Sequence, residues 1–186
     1  MNSNWFKIFL KFNKVHYGRG LELKGIPIIF SKSGNKLSIG NNVRINSAML
    51  SNLVGLYQRS IIVTRTSEAE IHIGDNVGIS GTTIYARKSI KIGNNTLIGG
   101  NTKIMDNDFH PVDPEIRWET PNEHMGIRPI EIGENVFIGC NCLILKGAKI
   151  GDNAVIGAGS VVNGEIPANC VAAGNPVRII RTLKEK

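Results

Sequence analysis

Large aliphatic residues recur every six positions through the C-terminal half of the chain, at Ile132, Ile138, Ile144, Ile150, Ile156 and Val162. Four positions after each of the first five stand Val136, Cys142, Ala148, Ala154 and Ser160, all of modest size. Gly133, Gly139, Gly151 and Gly157 directly follow four of the aliphatics, and Leu145 breaks that part of the pattern once. The spacing returns upstream at Ile92, Ile98 and Ile104, at Ile73 and Ile79, and at Ile39 and Ile45. A helix repeats at 3.6 residues and an isolated strand at 2, so a period of six suits neither as a long element. It suits a chain that makes a short straight, turns a corner and repeats. Each straight sends one large aliphatic inward, and the crowded corner takes a small residue. Stacked straights then pair as parallel strands around a narrow core. Aromatic residues make up only 6% of the chain while Gly reaches 21 of 186, which fits thin regular layers better than one bulky core.

The local wording is specific: IGDNVGISGTTIYARKSIKIGNNTLIGGNTKIMDNDFHPVDP, then IEIGENVFIGCNCLILKGAKIGDNAVIGAGSVVNGEIPANCVAAGNPVRIIR. Over residues 35–175 it resembles the hexapeptide-repeat acyltransferases, and within them the sugar O-acetyltransferase branch of galactoside, maltose and polysaccharide acetyltransferases. The resemblance implies an all-β fold, a left-handed parallel β-helix with a triangular cross-section and three hexapeptides per coil.

Around that β-helix we expect an N-terminal helical segment over residues 1–20, the β-helix domain over 21–175, and a short basic C-terminal helix in 176–186. Residues 105–129 break the period with three prolines and six acidic residues before Pro129, and long excursions from a regular solenoid are places for function. Residues 4–16 place Trp5, Ile8, Phe9, Phe12 and Val15 on one helical face with Lys7, Lys11 and Lys14 opposite. Two readings stand for this helix: a cap on the open end of the solenoid, or a peripheral contact with a membrane surface.

The formal charge of +7 favours anionic partners. With no aromatic-interleaved basic motif and no run of five like charges, a nucleotide-type cofactor is a better match than nucleic acid. The three cysteines form no disulfide framework, no stretch of 18 apolar residues exists, and Lys7 and Lys11 interrupt the first apolar run. The expectation is a cytoplasmic protein.

Acyl transfer to a hydroxyl needs a base that reaches the attacking oxygen, and histidine suits that task best. Of the four histidines, His16 ends the N-terminal helix, His72 flanks a repeat position and His124 lies undistinguished in the excursion. His110 stands in Asp106-Asn107-Asp108-Phe109-His110-Pro111, where the regular coil gives way. The resemblance implies that a His-Pro at this place carries the general base. Asp106 and Asp108 are expected to orient the ring or hold acceptor hydroxyls, or else to cap turns as loop acids do. Ser80 and Asn101 are the further acceptor contacts expected.

The resemblance also implies acetyl-CoA as donor, bound along stacked coils by Phe137, Gly139, Cys140, Gly157, Ala158 and Asn163. Arg178 and Arg181 would meet its phosphates, with a solvated basic tail as the plain alternative for both arginines. The backbone N–H groups around Gly139–Cys140 would bind the thioester oxygen. Phe137 stands where many relatives have Trp, Cys140 where many have Ser, and Asn163-Gly164 replaces a common Thr-Lys. Cys142 occupies a small-residue position and is expected to be buried and inert, and nothing activates Cys140, so direct attack by the acceptor is preferred over an acyl-cysteine.

No metal site is expected. His124 with Cys140 and Cys142 has poor ligand spacing, and the γ-type carbonic anhydrases, another β-helix branch, need three zinc histidines that this chain does not supply. A homotrimer with sites between subunits is implied as well. The functional expectation is O-acetylation of a sugar or polysaccharide precursor, against N-acetylation of an amino sugar or another small acceptor, or a non-catalytic β-helix scaffold.

Overall fold

A computed structural model describes residues 4–32, 34–119 and 123–183. Among these, the chain winds into a left-handed parallel β-helix whose three flat faces are sheets of seven, eight and six strands. We number the faces in the order the chain meets them. The inward aliphatics stack in columns. On the first face Ile39, Ile73, Ile92, Ile132, Ile150 and Ile166 are successive partners. The second face stacks Ile45, Ile79, Ile98, Ile138 and Ile156. The third stacks Ile29, Ile62, Ile84, Ile104, Ile144 and Val162. Nearly all are wholly buried, each worth roughly 1.5–3 kcal/mol in removal from water. The small residues Val136, Cys142, Ala148, Ala154 and Ser160 are buried at the corners, as the period requires.

Two devices at the corners make the stack possible. The glycine after the aliphatic gives the next coil room: a Cβ on Gly99 would stand 2.6 Å from the backbone N of Cys140, and one on Gly139 would stand 2.5 Å from that of Ala158. At the corner between the first and second faces, Asn42, Asn76, Asn95, Asn135, Asn153 and Asn169 all adopt left-handed backbone with φ of 54–59°. Asparagine tolerates that region best among residues with a side chain. Its amides also link coils, Asn42 Nδ2 donating to Asn76 Oδ1 (3.1 Å) and Asn76 Nδ2 to Asn95 Oδ1 (2.9 Å).

The regular coil takes 18 residues, as from Ile132 to Ile150. Ile39 and Ile73 are 34 apart, and Ile92 and Ile132 are 40 apart, so two coils carry excursions. The chain has a helix α1 (Asn4–Phe12) at its N-terminal end, and the second excursion, after the strand Lys103–Met105, includes helix α2 (Pro114–Glu119). The first, residues 47–60, leaves the corner between the second and third faces and has no counterpart in the sequence reading.

Helix α1 covers the N-terminal end of the solenoid. The residues it buries are Phe6 and Leu10, joined by Val15 just beyond it. Of the expected apolar face, Trp5, Ile8, Phe9 and Phe12 remain exposed. The capping surface is therefore a neighbouring stripe of the helix. At the other end, the expected C-terminal helix is not formed: Arg178–Thr182 is a strand, antiparallel to Cys170–Ala173. The last parallel strand of the second face offers an unpaired row of N–H and C=O groups, and a returning strand satisfies them where a helix would not.

Candidate functional site

The stem of the second excursion is built around Asp106, whose carboxylate is completely buried. Its oxygens accept the backbone N–H groups of Arg87 (2.8 Å), Lys88 (2.7 Å) and Ser89 (2.9 Å) in the preceding coil. The backbone then pinches shut: Asp108 N donates to Gly126 O (3.1 Å), Arg128 N donates to Asp106 O (3.0 Å), and Asn107 bridges Ile127. Asn107 Oδ1 accepts the N–H of Phe109 (3.0 Å), which has φ of 65°, and the Phe109 ring packs on Tyr85 at 4.9 Å. Asp108 pairs with Lys146 of the next coil. The stem ends at His110, which is exposed and has no side-chain partner among the described residues, followed by buried Pro111. Farther out, Arg117 of α2 folds back, its Nε donating to Pro111 O (3.0 Å) and Nη2 to Val112 O (2.7 Å).

Asp106 is thus not an acceptor contact. Three backbone donors occupy it, and it is the turn-capping acid that the sequence left as the alternative. Asp108 is partly exposed but carries an ion pair with Lys146 that it would share with any hydroxyl.

A second cluster lies at the corner between the second and third faces. Gly139, Cys140, Gly157 and Ala158 follow one another down this edge, with Ala158 exposed and Gly159 open on its outer side. The Gly139 N–H is spent on Ile156 O (2.8 Å), whereas that of Cys140 has no partner among the described residues. Phe137 is half exposed on the second face, and Arg178 and Arg181 are exposed on the strand at that face's end.

The first excursion folds over the upper part of the same edge. Asn101 fixes it, accepting the N–H of Tyr57 (3.2 Å) and donating to Gly55 O (2.8 Å), while the Tyr57 hydroxyl donates to Asn141 Oδ1 (3.3 Å). Ser80 Oγ accepts from Asn46 Nδ2 (3.0 Å) and Asn52 Nδ2 (3.1 Å) beside a depression of about 250 Å³ also lined by Leu97 and Phe137. Ser80 and Asn101 are both buried, so their polar atoms chiefly serve this loop. The signal for it was the broken interval from Ile45 to Ile62, which is 17 rather than a multiple of six.

Most of the expected site residues therefore occupy two edges of one solenoid, with the third face between them, while Phe137, Arg178 and Arg181 stay on the second face. His110, Asp106 and Asp108 sit on one edge, and Asn163 joins that edge two coils below. Ser80, Asn101, Gly139, Cys140, Gly157 and Ala158 sit on the other. Of the other histidines, His72 Nδ1 lies 2.7 Å from Ser38 Oγ on the first face, His16 is exposed beneath α1, and His124 is exposed in the excursion. Among the described residues no three His, Cys, Asp or Glu side chains gather as metal ligands would.

Cys142 is wholly buried, and burial pushes its thiol up from the ordinary value, as it does for Cys170. Thiolate is the reactive form. Brief alkylation of the native protein should therefore label Cys140 first, with Cys142 and Cys170 reacting only on unfolding. Peptide mass spectrometry reads this directly, and early label on Cys142 would contradict it.

Comparison with known proteins agrees with the architecture. Residues 129–164 match the family model for bacterial transferase hexapeptide, six repeats. The galactoside O-acetyltransferase of Escherichia coli K12 is 44% identical over 119 residues, covering 63% of this chain and 57% of that enzyme. The chain thus spans little more than half the length of that relative. A maltose O-acetyltransferase structure from Clostridium difficile 630 is 28% identical with a TM-score of 0.59, covering 96% of this chain and 75% of that one. An N-acyltransferase from Bacillus cereus, solved with dTDP-4-amino-4,6-dideoxyglucose and coenzyme A, has a TM-score of 0.76 over 100% of this chain and 91% of its own. At 22% identity that likeness concerns the fold alone.

Proposed function

We propose that this chain, a member of the hexapeptide-repeat transferase family, moves an acetyl group from acetyl-CoA to a hydroxyl of a sugar or polysaccharide precursor. The observation that carries this reading is His110, exposed and without a side-chain partner among the described residues, at the tip of a stem whose Asp106, Asn107 and Asp108 side chains are all engaged. An imidazole presented that way is available as a general base. In the reaction proposed, a ring nitrogen takes the proton of the acceptor hydroxyl as its oxygen attacks the thioester carbon. The Cys140 N–H, a donor without a partner among the described residues on the other edge, holds the developing oxyanion. Collapse breaks the C–S bond, and the imidazolium returns its proton to the departing CoA sulfur. The products are the acetyl ester and free CoA. The backbone donor survives the presence of cysteine at position 140.

Base and oxyanion donor lie on different edges, so we read the site as assembled from two copies in a homotrimer. The outer surfaces of the faces support this. The first face turns His72, Lys91, Glu131, Lys149 and Glu165 outward in one row, as a solvated surface does. The third turns out Ile61, Thr83, Lys103, Leu143 and Val161 in one column and Tyr85, Met105 and Leu145 in the other, a strip that is apolar apart from Thr83 and Lys103 and asks for cover. Packing that strip on a neighbour would bring one copy's His110 edge toward another's Cys140 edge. Gly157 and Ala158 would then admit the pantetheine arm, Phe137 would line the second face, Asn163 would face the groove from the His110 edge, and Arg178 and Arg181 would meet phosphate. The same edges leave Asp108, Ser80 and Asn101 near the acceptor's end.

The test is CoA-thiol release from acetyl-CoA across a panel of galactosides, maltose, amino sugars and nucleotide sugars. Acceptor-dependent release is expected with a hydroxyl acceptor. Turnover confined to amino sugars would move the reading to N-acetylation, and absence of both turnover and CoA binding would leave a scaffold.

A further inference from the structure

We propose that α1 docks the protein on an anionic lipid surface, its exposed aromatic face entering the interfacial layer and the basic hollow beside it taking phosphate-bearing headgroups. This inference does not depend on the transfer reaction. Phe6 and Leu10 already cap the solenoid; Trp5 and Phe9 touch the Phe6 ring (centroids 5.8 and 5.3 Å) but, like Ile8 and Phe12, lie outside the buried core. Trp5, Ile8, Phe9 and Phe12 are 38–82% exposed. At 3.6 residues per turn they form a continuous arc of about 100°, beside the capping stripe and distinct from it. Lys11 falls about 60° beyond Ile8, Lys7 about 40° further round on the side away from the arc, and Lys14 follows the helix. A hollow of about 650 Å³ opens on the lysine side of the helix, lined by Lys7, Lys11, Tyr17 and Arg19 among others, with no Asp or Glu among the described residues of its wall.

Aromatic residues flanked by lysines suit a lipid interface, where the rings enter the acyl boundary and the long cationic stems reach back to the headgroups. A second copy is a poorer occupant. In a twofold contact that set two such helices antiparallel through this face, Lys11 of each chain would lie on the same side as that of the other, like charge against like. Charge complementarity therefore selects an anionic surface, in keeping with the chain's formal charge of +7.

The test uses the full chain with Trp118→Phe, which leaves Trp5 as the sole tryptophan reporter. Vesicles of equimolar phosphatidylglycerol and phosphatidylcholine are compared with vesicles of phosphatidylcholine alone. We expect a blue shift of Trp5 emission and co-sedimentation with the anionic vesicles, about tenfold or more stronger than with neutral ones, and weakening as salt rises. Ile8→Ser with Phe12→Ser should reduce binding about tenfold without moving the melting temperature, because Phe6 and Leu10 are untouched. Lys7→Glu with Lys11→Glu should do the same. Equal partition into both vesicle types, or wild-type binding by the serine variant, would overturn the proposal. So would a serine variant that changes sedimentation of the free protein while neither form binds vesicles, because the face would then be a protein contact.

Discussion

Replacing His110 with Ala should lower sugar-dependent acetyl transfer by about 10²–10⁴ in kcat, the range general-base catalysis supplies. The same change should leave the melting temperature and the affinity for CoA where they were. The side chain is exposed, makes no hydrogen bond among the described residues and fills no cavity, so its removal takes nothing from the fold. That separation gives the experiment its force, because lost activity cannot be assigned to lost structure. His110→Gln keeps the polarity without an accessible proton-accepting nitrogen and should be nearly as impaired. The measurement is thiol release at saturating acetyl-CoA with the best acceptor of the panel, beside calorimetric CoA binding. Retention of more than about a tenth of wild-type kcat would remove His110 from the role, since even the low end of the general-base range exceeds that loss.

The core was open to sequence reading because it is periodic. One aliphatic every six residues is a covalent record of the columns Ile132–Ile150 and Ile138–Ile156, and burial followed. What the period does not encode was missed. Residues 47–60 obey no repeat, and their place depends on Asn101, a residue 41 positions or more away whose side chain holds Tyr57 and Gly55. The C-terminal strand was misread because Arg178-Ile179-Ile180-Arg181 is exposed throughout and so carries no burial pattern for either a helix or a strand. The open sheet edge decided it, and an edge is a property of the fold rather than of the segment. At α1 the sequence reading named the stripe of Trp5, Ile8, Phe9, Phe12 and Val15 and passed over Phe6 and Leu10, which with Val15 face the core. A helix with two apolar stripes gives no local sign of which one is covered. Asp106 shows the same limit at the site, since nothing near it in sequence announces that three N–H groups of residues 87–89 will converge on it.

Asp106→Ala should accordingly be the most damaging single change to the fold near the site, costing about 3–5 kcal/mol. The estimate rests on three backbone donors that lose a charged acceptor, each lost partner costing about 1–3 kcal/mol when water cannot replace it. Ser89 is buried and bears the full penalty, whereas Arg87 and Lys88 are reached in part by solvent and recover some of theirs. Asp106→Asn is the sharper probe. The amide keeps the size but one oxygen becomes an NH₂ group, so it cannot face the Arg87 donor on one side and the Lys88 and Ser89 donors on the other. It should recover only part of the alanine loss. Denaturant unfolding at a fixed protein concentration measures both variants on one scale, which matters if subunits associate. Hydrogen exchange should locate the effect, with the amides of residues 87–89 losing protection first. The stem that carries His110 shares the Asp106 carbonyl through Arg128 N, so catalytic rate should fall in these variants although His110 is unchanged. An Asp106→Ala protein as stable as the wild type would mean that the turn at 87–89 is held by the coils themselves, and that the carboxylate is not the anchor of the excursion.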